Sequence, residues 1–208
     1  MHKLFLLLIF TGITVSGFSQ YKAVANPAAV KSQFSAAAQK VSSISSDFTQ
    51  VKSLSMLSEK VSSKGKFYFR KNNLVRMEYT SPYSYIMVIN GNKVSIKDGQ
   101  KTNRTSAGSS KLFQQVNQLM MDCIKGTVFD NPNFSVKLLE NGTTYLADMT
   151  PVTKEMKSLF KSVKVVLQKS GFVVSQVQLV DTRGDNTTIS YSNQQLNKSL
   201  PDALFTLR

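Results

Sequence analysis

The sequence predicts a mainly β fold of the α+β class: an antiparallel sheet of about ten or eleven strands, with two or three helices set at separated points. Two observations carry this. Apolar and polar residues alternate over most of the chain, as strands with one covered face require, and tight-turn pairs such as Asn90-Gly91 and Asn141-Gly142 separate neighbouring runs. Helical spacing, by contrast, appears only locally. An antiparallel meander of this length curls or closes, because a long flat sheet would leave edges exposed, and the helices must cover whichever apolar face stays open.

Taken in order, Asn26-Pro27 followed by Val30, Phe34, Ala37 and Val41 supplies a capping residue, proline at the first helical position and apolar spacing of four, three and four. From Ile44 the period becomes two, and strands are expected at 46–52, 61–70, 74–80, 84–89 and 93–97. Residues 98–110 are polar, with glycine and serine, and read as a loop with room for a short strand. Helical period returns over 111–125, where Leu112, Phe113, Val116, Leu119, Met120, Cys123 and Ile124 form one stripe closed by Gly126. A hairpin of 134–139 against 143–149 follows, then a short helix over 151–160, strands at 163–168, 172–180 and 187–191, and a terminal strand near 204–207.

Lys3 followed by the run LFLLLIF, and then by Gly17-Phe18-Ser19, reads as a secretory signal peptide spanning residues 1–19, with Gln20 starting the mature chain. No cysteine stands there to be lipidated. Residues 20–208 then fit a single domain, and the lone Cys123 cannot form a disulfide within the chain, so packing alone must hold the fold. The net charge of +14, or +13 without Lys3, favours anionic partners. Outside the cytoplasm these are lipid headgroups rather than nucleic acid, for which no recognition motif is present.

The only histidine is His2, inside the segment expected to be removed. Ser-His-Asp and Cys-His catalysis need an imidazole, and zinc sites usually draw on histidine or several cysteines, so neither can be built; no metal and no cofactor is expected. Two Ser-x-x-Lys matches, Ser63 with Lys66 and Ser158 with Lys161, are the remaining hydrolase candidates. The first lies at a strand start, where positions three apart point to opposite faces. Asp181 and Asp185 flank a turn, where aspartate usually serves backbone hydrogen bonds.

Read as a hairpin, residues 64–82 place Phe67, Phe69, Val75, Met77 and Tyr79 on one side, and Lys66, Tyr68, Arg70, Arg76 and Glu78 on the other. Such an apolar face is either ordinary core or the lining of a site for something apolar, and local pattern does not separate the two. The methionine-bearing stripe of 111–125 is open to the same pair of readings.

The order and spacing of several segments carry a family likeness over nearly the whole mature chain. Asp47-Phe48-Thr49-Gln50 precedes the run from Gly65 to Lys71, which leads through Leu74 to Tyr79 to Pro82 and then to Ile89-Asn-Gly-Asn-Lys93; Asp181-Thr-Arg-Gly184, Asn197 and Leu200-Pro-Asp-Ala-Leu-Phe205 follow near the end. Together they resemble the periplasmic outer-membrane lipoprotein carriers, the LolA-like proteins. The resemblance implies an incomplete, strongly curved antiparallel β-barrel covered by a helical lid, enclosing an apolar cavity for acyl chains. It implies no enzyme activity. The lipid-binding residues would be Phe48, Phe67, Phe69, Val75, Met77, Tyr79, Tyr85, Met87, Ile89, Leu119 and Met120. In the family a basic residue near the hairpin tip controls the lid; Lys71 matches its position, where arginine is usual, and Arg70 is its potential substitute. The implied partners are acylated lipoproteins or other lipids, an inner-membrane ABC-type release complex and an outer-membrane acceptor, served by a periplasmic monomer. A sensing module of the cell envelope and a carrier of free lipid or glycolipid are the alternatives.

Overall fold

The computed structural model describes residues 20–56, 59–99, 101–106 and 110–207, so the expected signal peptide lies outside the described residues. The elements run β1 (Lys22–Ala23), α1 (Pro27–Gln39), β2 (Ser43–Leu54), β3 (Glu59–Arg70), β4 (Leu74–Ser81), β5 (Tyr85–Asn90), β6 (Lys93–Asp98), β7 (Lys101–Ser106), α2 (Lys111–Lys125), β8 (Phe134–Glu140), β9 (Thr144–Pro151), α3 (Lys154–Leu159), β10 (Phe160–Gln168), β11 (Val173–Asp181) and β12 (Asn186–Leu196). All twelve strands form one antiparallel sheet in the order β1-β8-β9-β10-β11-β12-β2-β3-β4-β5-β6-β7. Among the described residues β1 and β7 are not paired with each other, so the sheet curls into a barrel that stays open.

Most neighbours in the sheet are neighbours in sequence, joined by short turns. Three residues, 71–73, join the paired Arg70 and Leu74 at the β3–β4 tip, and two of them, Asn72 and Asn73, take positive φ, 75° and 57°, which asparagine tolerates better than most residues. Two pairings are exceptions: the short β1 adds to the edge of β8, and β12 returns across the molecule to pair with β2 from Leu196↔Ile44 to Asn186↔Ser53. The β12–β2 pairing joins the two halves of the sheet.

The helices lie over the concave face. The Asn26 side chain accepts from Ala29 N at 3.1 Å, Pro27 opens α1, and Val30, Phe34 and Ala38 turn inward. Helix α2 starts at Ser110, whose Oγ accepts from Phe113 N, and ends at Gly126 in the left-handed region at φ 75°. A Cβ at Gly126 would lie 2.7 Å from Ser35 Cα and 2.8 Å from Ala38 Cβ, so glycine both ends α2 and lets α1 cross close beside it.

The core falls into two clusters. One joins β8–β10 to α1, Leu119 and Cys123 of α2, and the turn Val128–Asp130, where Phe34 meets Phe129 at 5.1 Å between ring centroids. The other joins β2–β6 to Met121.

Three expectations require correction. The expected terminal strand at 204–207 is absent: Asp202–Phe205 forms a 3-10 turn against β4 and β5. Arg70 donates to Leu200 O at 2.8 Å, pairs with Asp202 and stacks over the Phe205 ring, so this segment is held by side chains on the convex face rather than by a ladder. The polar stretch after residue 98 does hold the short strand it had room for, the edge strand β7. The helix expected from residue 151 begins at Lys154, because β9 extends to Pro151 and Thr153 Oγ1 caps by accepting from Met156 N. Leu112, placed on the buried stripe of α2, is exposed, while Met121 and Asp122 are buried.

Candidate functional site

Register puts the predicted face together. Phe67 lies opposite Met77, and Phe69 opposite Val75; Val75, Met77 and Tyr79 then face Ile89, Met87 and Tyr85 across the next ladder. Phe48 stands opposite Gly65, where a Cβ would lie 2.1 Å from Glu78 O and 2.7 Å from the Phe48 ring, so the ring occupies the place of the missing side chain. Tyr79 closes on that ring edge-on at 4.9 Å and meets Tyr85 at 5.7 Å. These aromatic groups plug the barrel toward the β4–β5 turn.

Below the plug, a cavity of about 150 Å³ lies between the sheet and the two long helices. Phe67 and Met77 form one wall, Val177, Leu179 and Ile189 the other, and Leu119 and Met120 hang from α2. Phe34 and Ala37 of α1 complete the cover. A second opening of about 280 Å³ lies at the β3–β4 tip between Phe69, Lys71 and Met121. Among the predicted lipid-binding residues, Phe67, Met77, Leu119 and Met120 line the main cavity and Phe69 the second. Phe48, Val75 and Ile89 are packed beneath, and Tyr79, Tyr85 and Met87 lie along the same face beyond the cavity. The β11 and β12 wall was missed by sequence reasoning, although the period-two runs at 172–180 and 187–191 were a signal for it.

Helix α2 has its buried polar anchors at one end. Asp122 is buried, yet its carboxylate accepts from Gln118 Nε2 and Asn131 Nδ2, both at 2.7 Å, and its backbone carbonyl accepts from Thr127 N at 2.9 Å. Its first turn carries the exposed Leu112 and the half-buried Phe113. One exposed bond, from Gln115 Nε2 to Glu155 Oε1 at 3.3 Å, ties this half of α2 to α3. Burial and, secondarily, the adjacent Asp122 push the Cys123 thiol up to about 12, so it stays protonated and inert beneath the helix.

The two basic residues at the hairpin tip diverge. Lys71 Nζ donates to Gln39 O at 3.2 Å, at the carbonyl end of α1, where a cation is favoured. Arg70 turns to the convex face and holds the C-terminal segment, away from the helices. The Ser-x-x-Lys pairs do not assemble: Lys66 is paired with Asp47 at 3.2 Å on the convex side while Ser63 belongs to the concave one, and Ser158 Oγ donates to Glu155 O. Asp181 Oδ1 accepts from the backbone of Arg183 and Asp185, at 2.9 and 3.0 Å, and so shapes a turn.

A curved antiparallel sheet with a helix-covered apolar cavity is the arrangement this family likeness calls for. The family model described as outer membrane lipoprotein carrier protein LolA matches residues 39–208. The chain belongs to the LolA family. An outer-membrane lipoprotein carrier protein of Pseudomonas putida (strain GB-1) is 26% identical over 143 residues, covering 68% of this chain and 66% of the relative. The chain thus spans just under two thirds of that LolA relative's length. Among solved structures, MucB superposes with a TM-score of 0.54 at 10% identity, over 87% of this chain and 62% of that one. An uncharacterized conserved protein from Thermus thermophilus gives 0.52 at 8% identity, over 85% and 92%. At such identities these likenesses concern the fold alone.

Proposed function

We propose that this protein carries the acyl chains of lipoproteins across the periplasm, from an inner-membrane ABC-type release complex to an outer-membrane acceptor. In this reading residues 1–19 direct export, residues 20–208 work as a single monomeric domain, and no bond is made or broken. The observation that carries it is the apolar cavity between one continuous strand face and the two helices laid over it.

The size of the cavity fits a closed, empty carrier. A dry cavity of roughly 150 Å³ holds a benzene-sized guest, several-fold short of a long acyl chain. Helices α1 and α2 must therefore move aside to admit cargo. Each buried methylene contributes about 0.8 kcal/mol, so a rigid dry pocket would hold two or three chains almost irreversibly. When the helices' own apolar residues fill the same space, their lost burial offsets the gain from cargo, and release needs no energy source in the periplasm. Lys71, bonded to the end of α1, is the group placed to restrain that motion.

Native mass spectrometry of the protein purified from its own periplasm tests the reading. Acylated protein is the expected passenger; free lipid would make it a lipid carrier, and a persistently empty cavity would end the carrier reading. Met77→Glu and Met87→Glu should abolish capture while leaving the empty protein folded, because a charge beneath a movable cover can be hydrated.

A further inference from the structure

One wall of the cavity carries a group that an apolar container does not need. Ser46, on the concave face of β2 opposite Phe67, is only 4% exposed, lines the cavity, and its Oγ has no hydrogen-bond partner among the described residues. Buried polar side chains nearly always find partners, and alanine at this position would avoid the cost of stranding one.

A second donor lies beside it. Tyr191 of β12 stands opposite Phe48, two residues along the same face of β2, which makes Tyr191 and Ser46 diagonal neighbours across the ladder. The Tyr191 ring meets Phe67 edge-on at 5.6 Å, and its hydroxyl makes no hydrogen bond among the described residues. Burial, reinforced by the nearby Cys123 and Tyr79, raises its pKa, so the phenol remains a neutral donor. Gln194, the other polar group on the lining, already donates from Nε2 to Val174 O at 2.7 Å.

Two unused hydroxyls in an apolar cavity complement a single acceptor carried on hydrocarbon. No lysine or arginine lines this cavity, so an ionised carboxylate would enter it uncompensated, whereas a neutral ester or amide carbonyl would not. Ser46 lies close to the start of β2, at the end of the barrel where Leu196 and residues 171–174 border the cavity, and Phe67 and Met77 continue inward from it. A chain with its carbonyl here lays its hydrocarbon along those side chains.

We propose that Ser46 Oγ and the Tyr191 phenol form a hydrogen-bonding station for the carbonyl oxygen of a neutral acyl ester or amide, which fixes the depth at which the chain seats. The proposal rests on the acyl-carrier reading and deepens it.

The test compares methyl decanoate, decane and decanoate at neutral pH as displacers of a polarity-sensitive dye from the mature protein. The ester should bind about tenfold tighter than the alkane, as one well-made hydrogen bond allows. Ser46→Ala should erase most of that ratio without weakening decane, Tyr191→Phe should erase part of it, and Ser46→Cys, a poorer donor of similar size, should fall between. The carbonyl stretch of ¹³C-labelled ester should lie at lower frequency in the wild type and shift upward in Ser46→Ala. An unchanged ratio and an unchanged carbonyl band in that variant, with wild-type decane binding, would overturn the station and leave the carrier reading standing. Failure of the ester and the alkane alike to displace the dye would overturn both. A synthetic diacyl lipopeptide and a diacylglycerol, run in parallel, identify the source of the ester: the one whose affinity falls more in Ser46→Ala is the one seated at the station.

Discussion

The wall built from β8–β10 and the wall built from β2–β6 belong to one sheet and follow the same alternation, yet they are covered differently. On the first, Ala147, Met149, Val163, Val165 and Leu167 are all fully buried, with Met156 of α3 and Val128 of the turn after α2 packed in the same cluster. On the second, Tyr79, Met87 and Ile96 remain partly open, and so do Phe113 and Met120 of the helix above them. The first cover includes α3, a short helix joined to strands at both ends, beside α1 and Leu119 and Cys123 of α2. The second depends on α2, whose buried anchors lie near Asp122 and whose first half is tied to α3 by the exposed bond from Gln115 to Glu155 at 3.3 Å. Period two therefore reports which face is buried, not how firmly the element above it is held.

The sharpest way to break this contrast is truncation on each wall. Leu167→Ala should cost about 2–5 kcal/mol in urea unfolding, because its surroundings are close-packed and cannot collapse. Met87→Ala should cost well under half as much, and equal losses would mean that both walls are core. Next in size, Gly126→Ala forces a side chain against Ser35 and Ala38 at a positive φ. It should lower stability by about 1–2 kcal/mol and speed hydrogen exchange in α1 and α2, with protection in β8–β10 unchanged.

Cys123 reports on the cover through its chemistry. With its folded pKa raised from 9.0 to about 12, its contribution to stability is fully present below about 9 and is lost as pH rises toward 12. A bulky thiol reagent should label it slowly at neutral pH, and Phe113→Ala should accelerate labelling several-fold without shifting the circular dichroism melt. Labelling that followed only global unfolding would make α2 a fixed core helix. The smallest effect is expected at Lys71, an exposed side chain with one contact to α1. Lys71→Leu should change stability by less than about 1 kcal/mol, since a single solvated bond contributes little. Its effect should appear instead as slowed release of cargo in a transfer assay.

Local chemistry made the hairpins legible. Asn90-Gly91 and the alternation from Phe67 to Ile89 fixed their registers, and Gly126 fixed the end of α2. What stayed hidden is non-local. Nothing near Ile189 or Val177 says that β12 will lie beside β2, so the second cavity wall had no visible partner in the sequence. The C-terminal segment read as a strand because Leu204, Phe205 and Leu207 are strand-like, but the Arg70 and Arg76 contacts that hold it come from more than a hundred residues away. Ser46 gave no warning either, since a serine in a strand ordinarily marks the wet face.

The β12–β2 ladder also sets a schedule. A chain that emerges N-terminus first offers β2 to β3 early, but the other side of β2 waits until the last strand has appeared. Until then the two walls are not joined and there is no enclosed space for an acyl chain. A chain whose β12 has not yet paired with β2 therefore lacks the cavity altogether, however well its earlier hairpins have formed, and gains it in a single late step.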